Sequence, residues 1–280
     1  MFASKKNIDQ ATVDSFGDEW SRYDQSQLSK DDVIRYFNLY FSIFPWDLIN
    51  TNSEGFDMGC GSGRWAKVIA PKVRKLNCIE PSKAIEIAKK NLISHSNICF
   101  HNGTVDDPGI KNSSQDFGYS LGVLHHIPDT ERAIKSCVRL LKPKAPFLIY
   151  LYYAFDNRPF FYKLIWKLSN YVRSYLSGTN PKTKHIICDL IAFTVYLPLA
   201  KISYILDAMN IDVSNIPLSF YRRSSLYTMR TDVRDRFGTP LEQRFSQKQI
   251  KNMCINSGLE NIRFSDNEPY WCVVGTKKSI

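Results

Sequence analysis

The spacing of apolar and polar positions changes repeatedly along the chain, and each change marks an element. "SKDDVIRYFNLYFSIF" spaces its apolar residues helically, with Ser29 placed to cap and Asp31 and Asp32 in the first turn, which predicts a helix. "FDMG" predicts a short strand, and "GRWAKVIAP" a helix stopped by Pro71. "KLNCIE" reads as a second strand and "SKAIEIAKKNL" as a helix capped by Ser82. "NICFHNG" and "FGYSLGVLHHI" read as the third and fourth strands. "DTERAIKSCVRLLKP" follows as a helix that Asp129 opens and that ends before Pro143, and "PFLIYLYY" is the fifth strand. Strands alternating with helices predict a doubly wound α/β sheet, mostly parallel.

The alternation stops after the fifth strand. Residues 153–244 are long, aromatic and mainly helical, an insertion. It resumes with "SQKQIKNMCINSG", a helix with Gly258 just past its end, and with two closing strands, "LENIRFSD" and "YWCVVGTKK". The domain reading is therefore a helical segment at 1–50, a sheet domain at 51–152 and 245–280, and a helical insertion at 153–244.

Composition narrows the class. The chain has 280 residues, 44% hydrophobic and 23% charged, enough for a large core. "MFASKKNIDQ" has lysines but no apolar run behind them, so no signal peptide is expected. "IICDLIAFTVYLPLA" contains Asp189 and Pro198 and is shorter than the ~20 residues a span needs, so no membrane-crossing segment is expected. Seven scattered cysteines without a C-x-x-C pair suggest reduced thiols and a cytoplasmic protein. His125 and His126 are adjacent, which is not a ligand spacing, so no metal is expected. The net charge of +10 favours an anionic partner or is simply a solvated basic surface.

The candidate chemistry begins at "FDMGCGSGRW". Gly59, Gly61 and Gly63 follow a strand and open a helix, where bare backbone can approach a cofactor. The third glycine comes one residue early for the nicotinamide fingerprint, with Arg64 in the expected place, and no G-K-[ST] follows for a phosphate loop. Glu80, at the end of the second strand, can accept both hydroxyls of a ribose. "HNGTVDD" follows the third strand, and "YSLGVLHHIPD" ends the fourth.

Taken in order, these four motifs resemble the class I S-adenosylmethionine-dependent methyltransferases, in particular the small-molecule branch that includes ubiquinone and menaquinone biosynthesis enzymes. The resemblance covers roughly residues 50–152 and 245–278. It implies a seven-stranded Rossmann-like sheet with the last strand antiparallel, and S-adenosylmethionine as cofactor. It implies that Asp57, Gly59, Cys60, Gly61 and Gly63 pass along the methionine and ribose, and that Glu80, with Pro81 and Ser82, holds the ribose. Thr104 and Val105 would flank the adenine, and Leu121 and Gly122 the methionine end. Many relatives have Asp where Thr104 stands, so Asp106 and backbone are expected to share adenine recognition. Phe16, Trp20 and Tyr23, in "DSFGDEWSRYDQ", resemble a cofactor-covering lid; packing onto the first predicted helix is the alternative.

The transfer requires orientation and, for a hydroxyl acceptor, a base. His126 is the first candidate and His125 the second, both at the carboxyl end of the fourth strand; the alternative is that they bond the next loop. Amino-methylating nucleic-acid enzymes carry N/D/S-P-P-aromatic where this chain reads "HHIPDT", and the cytosine-5 Pro-Cys is missing because no Cys follows Pro128. Nucleic acid is therefore a disfavoured partner, with an RNA methyltransferase as one rival reading and a non-catalytic cofactor-binding subunit as another.

The insertion carries the acceptor question. Residues 151–230 hold ten Lys or Arg against four Asp, leaving +6. In "RPFFYKLIWKLSNYVRSYL", Phe161, Leu164, Leu168, Val172 and Tyr175 share one helical face, with Lys163, Lys167, Asn170 and Ser174 on another; this face meets either the core or lipid. A second apolar helix, "HIICDLIAFTVY", is expected to break near Pro198. Tyr152, Tyr153, Asp156 and Arg158 are acceptor-pocket candidates, and Tyr221, Arg222 and Arg223 could grip an anionic group or be solvated. The insertion is expected to cap the carboxyl edge of the sheet. The expected acceptor is a hydroxyl-bearing small molecule, a sugar or a lipid-linked glycan intermediate, with peripheral contact at the inner face of a membrane as a further expectation. The sequence does not specify an oligomeric state.

Overall fold

A computed structural model describes residues 6–279. The expectation about a signal peptide rests partly on residues 1–5, which lie outside the described residues.

Ten α-helices and seven strands are described. They run α1 (Gln10–Arg22), α2 (Lys30–Tyr40), β1 (Glu54–Met58), α3 (Ala66–Ile69), β2 (Lys75–Ile79), α4 (Ala84–Asn91), β3 (Ile98–His101), β4 (Phe117–Leu121), α5 (Thr130–Leu140) and β5 (Pro146–Tyr150). After β5 come α6 (Phe160–Ser177), α7 (Pro181–Ile191), α8 (Leu197–Ala208), α9 (Leu226–Gly238), α10 (Gln247–Asn256), β6 (Leu259–Phe264) and β7 (Cys272–Lys277). The sheet order is β3-β2-β1-β4-β5-β7-β6. β1 to β5 pair in parallel, and β7 is antiparallel to both β5 and β6.

The strands are apolar on both faces because both faces are covered. Phe56, Phe147 and Ile149 join the buried cluster with α5 and α10. On the opposite face, Phe41 meets Tyr119 edge-on at 5.4 Å, and Phe44 meets Phe117 at 6.1 Å. Each ring is accommodated by a residue without a Cβ: Phe56 lies over Gly118, and Phe117 over Gly55.

The chain forms two compact units. Among the described residues, one takes in 6–25, Ile34–Tyr153 and 241–279; the other is Ser26–Val33 with Ala154–Pro240. The sheet unit thus takes back residues from 241 that the sequence reading gave to the insertion. The N-terminal segment, read as one piece over 1–50, is shared between the units.

The helical unit has its own core of Leu176, Cys188, Ala192, Tyr196, Ala200, Met229, Val233 and Phe237. α9 packs against both α6 and α7. Arg230 grips Asp189 with two bonds, at 2.8 and 2.9 Å.

Four local readings are corrected. Residues 10–22, where the apolar spacing delimits no helix of its own, form α1, because the Asp9 side chain accepts from Thr12 N at 2.9 Å and caps the first turn. "GVLHHI" is not strand: Gly122 turns at φ +78°, and Leu124–His126 form a 3₁₀ turn. The helix after the glycine turn is only four residues long, and Pro71 lies within the 3₁₀ turn Ala70–Lys72 that follows it. Pro198 does not break its helix. α7 passes through a wide π-turn, Ala192–Tyr196, into α8, where Pro198 occupies the first turn and its missing N–H is tolerated. The resulting 28-residue helix, Pro181–Ala208, is long and apolar enough to cross a membrane by length and composition, contrary to the sequence expectation.

The contact between Gly118 and the Phe56 ring yields a prediction. Gly118→Ala overpacks the sheet and destabilises this unit by about 1–3 kcal/mol in urea unfolding. Adding Phe56→Leu recovers part of that loss; two losses that simply add would contradict the packing described.

Candidate active site

The loop after β1 turns left-handed three times, with φ of +78° at Gly59, +53° at Gly61 and +82° at Gly63. That backbone is strained for a residue with a Cβ, and space is short as well. A Cβ on Gly59 would come within 2.5 Å of Val123, and one on Gly63 within 2.5 Å of Leu92. The amides of Gly59 and Cys60 both donate to Ile79 O, at 2.8 and 3.1 Å, which anchors the turn to the end of β2.

Glu80 locks the two strand ends together. One carboxylate oxygen accepts from Gly61 N at 3.1 Å and the other from Ser82 N at 3.0 Å. Ser82 Oγ in turn accepts from Ala84 N at 3.1 Å, at the start of α4. Burial raises the Glu80 carboxyl above its ordinary range, and the bonds from Ser82 and Gly61 pull it back. Asp57 stands opposite Tyr119 in the register of β1 and β4. Burial pushes its carboxyl up to about 8; the nearby Tyr119 hydroxyl lowers it somewhat, and the Glu80 charge adds to the rise. Its Oδ2 is buried and makes no hydrogen bond. The Cys60 and Cys78 thiols are neighbours in this interior and are raised too, and the seven cysteines are free.

α1 roofs the turn. The Trp20 indole lies 3.2 Å from where a Gly61 Cβ would be, and Gly17 comes close to Ser82 and Lys83. Tyr23, at the end of α1, is buried. Asn91 ties the roof down, donating to Asp24 O at 2.8 Å and Ser62 O at 3.0 Å. Phe16 meets the His126 ring edge-on at 5.0 Å.

After β3, where the resemblance implies adenine, Thr104 and Asp107 exchange backbone bonds at 3.1 and 3.2 Å, and Val105 is buried in the core. Asp106 Oδ2 accepts from Arg132 at 2.8 Å and from Asn7 N at 2.9 Å, so the carboxylate suggested for adenine is also a brace. At the end of β4, where the resemblance implies the methionine, Gly122 N donates to Tyr150 O at 3.1 Å, and Leu121 pairs with Tyr150.

The two histidines differ. His125 is fully buried and stacks on Tyr152 at 3.9 Å. Burial drives it well below the ordinary imidazole range, and the His126 and Arg244 charges add to this, so it stays neutral. His126 Nδ1 lies 2.6 Å from Leu241 O. A carbonyl oxygen only accepts, so Nδ1 holds the proton and Nε2 is the basic nitrogen.

A strap that sequence reasoning missed holds this corner. Gln243 N donates to His125 O at 3.1 Å, and Phe245 N to Tyr152 O at 2.9 Å. Gln243 Nε2 donates to Ile127 O at 2.7 Å, and Leu241 N to Thr12 Oγ1 at 3.2 Å. Arg244 sits 5.0 Å over the Tyr152 ring and pairs with buried Glu242 at 2.8 Å. No local pattern in "PLEQRFSQ" marks these roles. Tyr153 also belongs to this unit, its ring 5.7 Å from Tyr270.

The remaining acceptor candidates are in the helical unit. Arg158 Nη1 donates to Ser214 O at 2.6 Å. Arg222 and Arg223 both pair with Asp207, at 3.1 and 2.9 Å. Tyr221 packs 5.3 Å from Tyr196, and Asp156 is exposed.

These residues suit an adenosine cofactor. The turn presents bare backbone, Glu80 is a carboxylate for vicinal hydroxyls, and Asp57 supplies a buried oxygen without a bond. Glu80→Ala should weaken S-adenosylmethionine binding by about 1.5–3 kcal/mol in calorimetry. Glu80→Gln should weaken it too, because its amide would turn a donor toward Gly61 N or Ser82 N. Asp57 generates a pH prediction. Its folded value, about 8, exceeds the 3.8 of an ordinary Asp. Its stabilising contribution is therefore complete at low pH and is lost as pH rises from 3.8 toward about 8. Asp57→Asn should gain thermal stability relative to wild type across that window. The cationic cofactor should bind more tightly to wild type as pH rises to about 8, with proton release, and Asp57→Asn should flatten that slope.

Comparison with known proteins bears on the same segment. Residues 56–149 match the family described as methyltransferase domain. No curated protein matches the chain. Among solved structures, the fold resembles a chain from the complex between the Haloferax volcanii Trm112 methyltransferase activator and a methyltransferase. That match has a TM-score of 0.52 at 12% identity, over 94% of this chain and 98% of that one. It also resembles a protein of Bordetella parapertussis described as exported, with a TM-score of 0.50 at 14% identity, over 88% of this chain and 67% of that one. The methyltransferase-domain match falls on the strands that carry the glycine turn, Glu80 and the histidine corner, and with it residues 56–149 are a methyltransferase domain.

Proposed function

We propose that the enzyme methylates a hydroxyl of a small molecule, a sugar or a lipid-linked glycan intermediate, with His126 as the general base. The observation that carries this reading is the 2.6 Å contact of His126 Nδ1 with Leu241 O. It fixes the tautomer, so the ring keeps a lone pair on Nε2 at the carboxyl edge of β4. A hydroxyl is a weak nucleophile near neutral pH, and a base at that place would take its proton during transfer.

S-adenosylmethionine supplies a methyl group activated on its sulfonium. The chain's own residues then hold and deprotonate. Glu80, the glycine turn and the Trp20 roof fix the cofactor end and limit water above it. The acceptor hydroxyl gives its proton to His126 Nε2 as its oxygen takes the methyl group, and the Leu241 carbonyl steadies the imidazolium through Nδ1. His125 stays neutral and stacks on Tyr152, holding the corner without competing for the proton. Tyr152 and Tyr153 offer aromatic wall to the acceptor.

His126→Ala should lose roughly 10²–10⁴ in turnover while keeping cofactor affinity near wild type. Full turnover in that variant would remove the base from the reading. The acceptor class is tested by incubating the protein with methyl-labelled cofactor and fractionated cell extract. Label in a sugar, glycolipid or small hydroxyl metabolite supports the reading; label in RNA or in an amine overturns it.

A further inference from the structure

The helical unit exposes a second apolar surface in addition to its own core. On α6, Phe160, Leu164, Leu168, Tyr171 and Tyr175 form a stripe at helical spacing, and all are exposed, Phe160 by 81% and both tyrosines by 78%. The inward side of the same helix carries Leu176, in the unit's core, together with buried Arg173, which donates to Thr239 O at 2.9 Å and Pro240 O at 2.7 Å. Ser169, next on that side, accepts from Arg236 at 3.0 Å. The stripe on α6 is therefore not a core face. The Pro181–Ala208 helix likewise leaves Ile186, Leu190, Phe193, Ile202 and Ile205 exposed on the side away from its buried residues.

We propose that this face of the helical unit docks in the plane of an anionic phospholipid bilayer. The charge pattern favours that occupant. Lys163, Lys167, Lys182 and Lys201 are exposed along α6–α8. The acidic residues of these three helices, Asp189 and Asp207, are both engaged in ion pairs, with Arg230 and with Arg222 and Arg223. A surface of apolar and tyrosine side chains among unopposed lysines suits lipid tails beneath anionic headgroups. A second copy meeting the same face would set these lysines against each other.

The face lies on the membrane and does not cross it. The Pro181–Ala208 helix is long and apolar enough to span, but Cys188, Ala192, Tyr196 and Ala200 are buried in the unit's own core with Met229, Val233 and Phe237. A spanning orientation would strip that core and carry the Asp189–Arg230 pair into hydrocarbon.

The test is co-sedimentation of the full chain with vesicles. Equimolar phosphatidylcholine and phosphatidylglycerol should bind it at low salt and release it partly as salt rises; phosphatidylcholine alone should bind weakly. Lys163→Gln with Lys167→Gln should lower partitioning by about twenty-five-fold, since each basic residue near an anionic surface contributes about fivefold. Leu164→Gln with Leu168→Gln should also release the protein. All these variants should bind S-adenosylmethionine as wild type does, which shows that they fold and keeps this test separate from the acceptor's identity. No sedimentation at any salt overturns the proposal, as does wild-type binding by both double variants. So does a wild-type dimer, without vesicle binding, that the leucine substitutions dissociate, because a second copy then covers the face.

Discussion

The site depends on one carboxylate that holds two pieces of backbone. Glu80 takes a hydrogen from Gly61 N with one oxygen and from Ser82 N with the other. These amides start the glycine turn and the approach to α4, so the ends of β1 and β2 cannot move apart without breaking a charge-assisted bond in the interior. The left-handed turn and the roof helix are set against this fixed edge. Asp57 shows what the arrangement costs, since its buried carboxyl is raised to about 8 with Glu80 contributing to the shift. In the proposed reading, a cofactor that brings positive charge and hydrogen-bond donors would meet both groups in this buried interior.

The histidine corner is built by a different means. The 3₁₀ turn Leu124–His126 has little regular structure of its own, and residues 241–245 supply its partners. His125 O, His126 Nδ1, Ile127 O and Tyr152 O are all engaged by that short strap. Thr12 bonds the strap as well, which links the roof helix to the imidazole whose edge Phe16 touches. Segments more than a hundred residues apart thus share one hydrogen-bonded assembly around the proposed base.

The helical unit follows a different rule from the sheet unit. Around the sheet, apolar faces turn inward and are covered from both sides. In α6 the buried side keeps Leu176 and Arg173, while a second apolar stripe of leucine and tyrosine stays exposed. The 3.6-residue period is equally clear in both cases. Periodicity identifies a face and carries no information on which side of it the solvent lies.

That limit separates what the sequence determined from what folding decided. The alternation of elements, the glycine turn, the acid at the end of β2 and the caps at Ser29 and Asp129 are local features, encoded within a few residues by sterics and hydrogen bonding. They were legible, and with them the sheet and its cofactor edge. Residues 10–22 were harder to read, because a polar helix announces itself mainly by its cap. Pro198 misled because a wide turn five residues long absorbs the bond that proline removes. The strap at 241–245, the different surroundings of His125 and His126, and the outward face of α6 had no local signature. Each depends on which distant segment arrives beside a residue, and burial, tautomer and exposure are fixed only by that arrival.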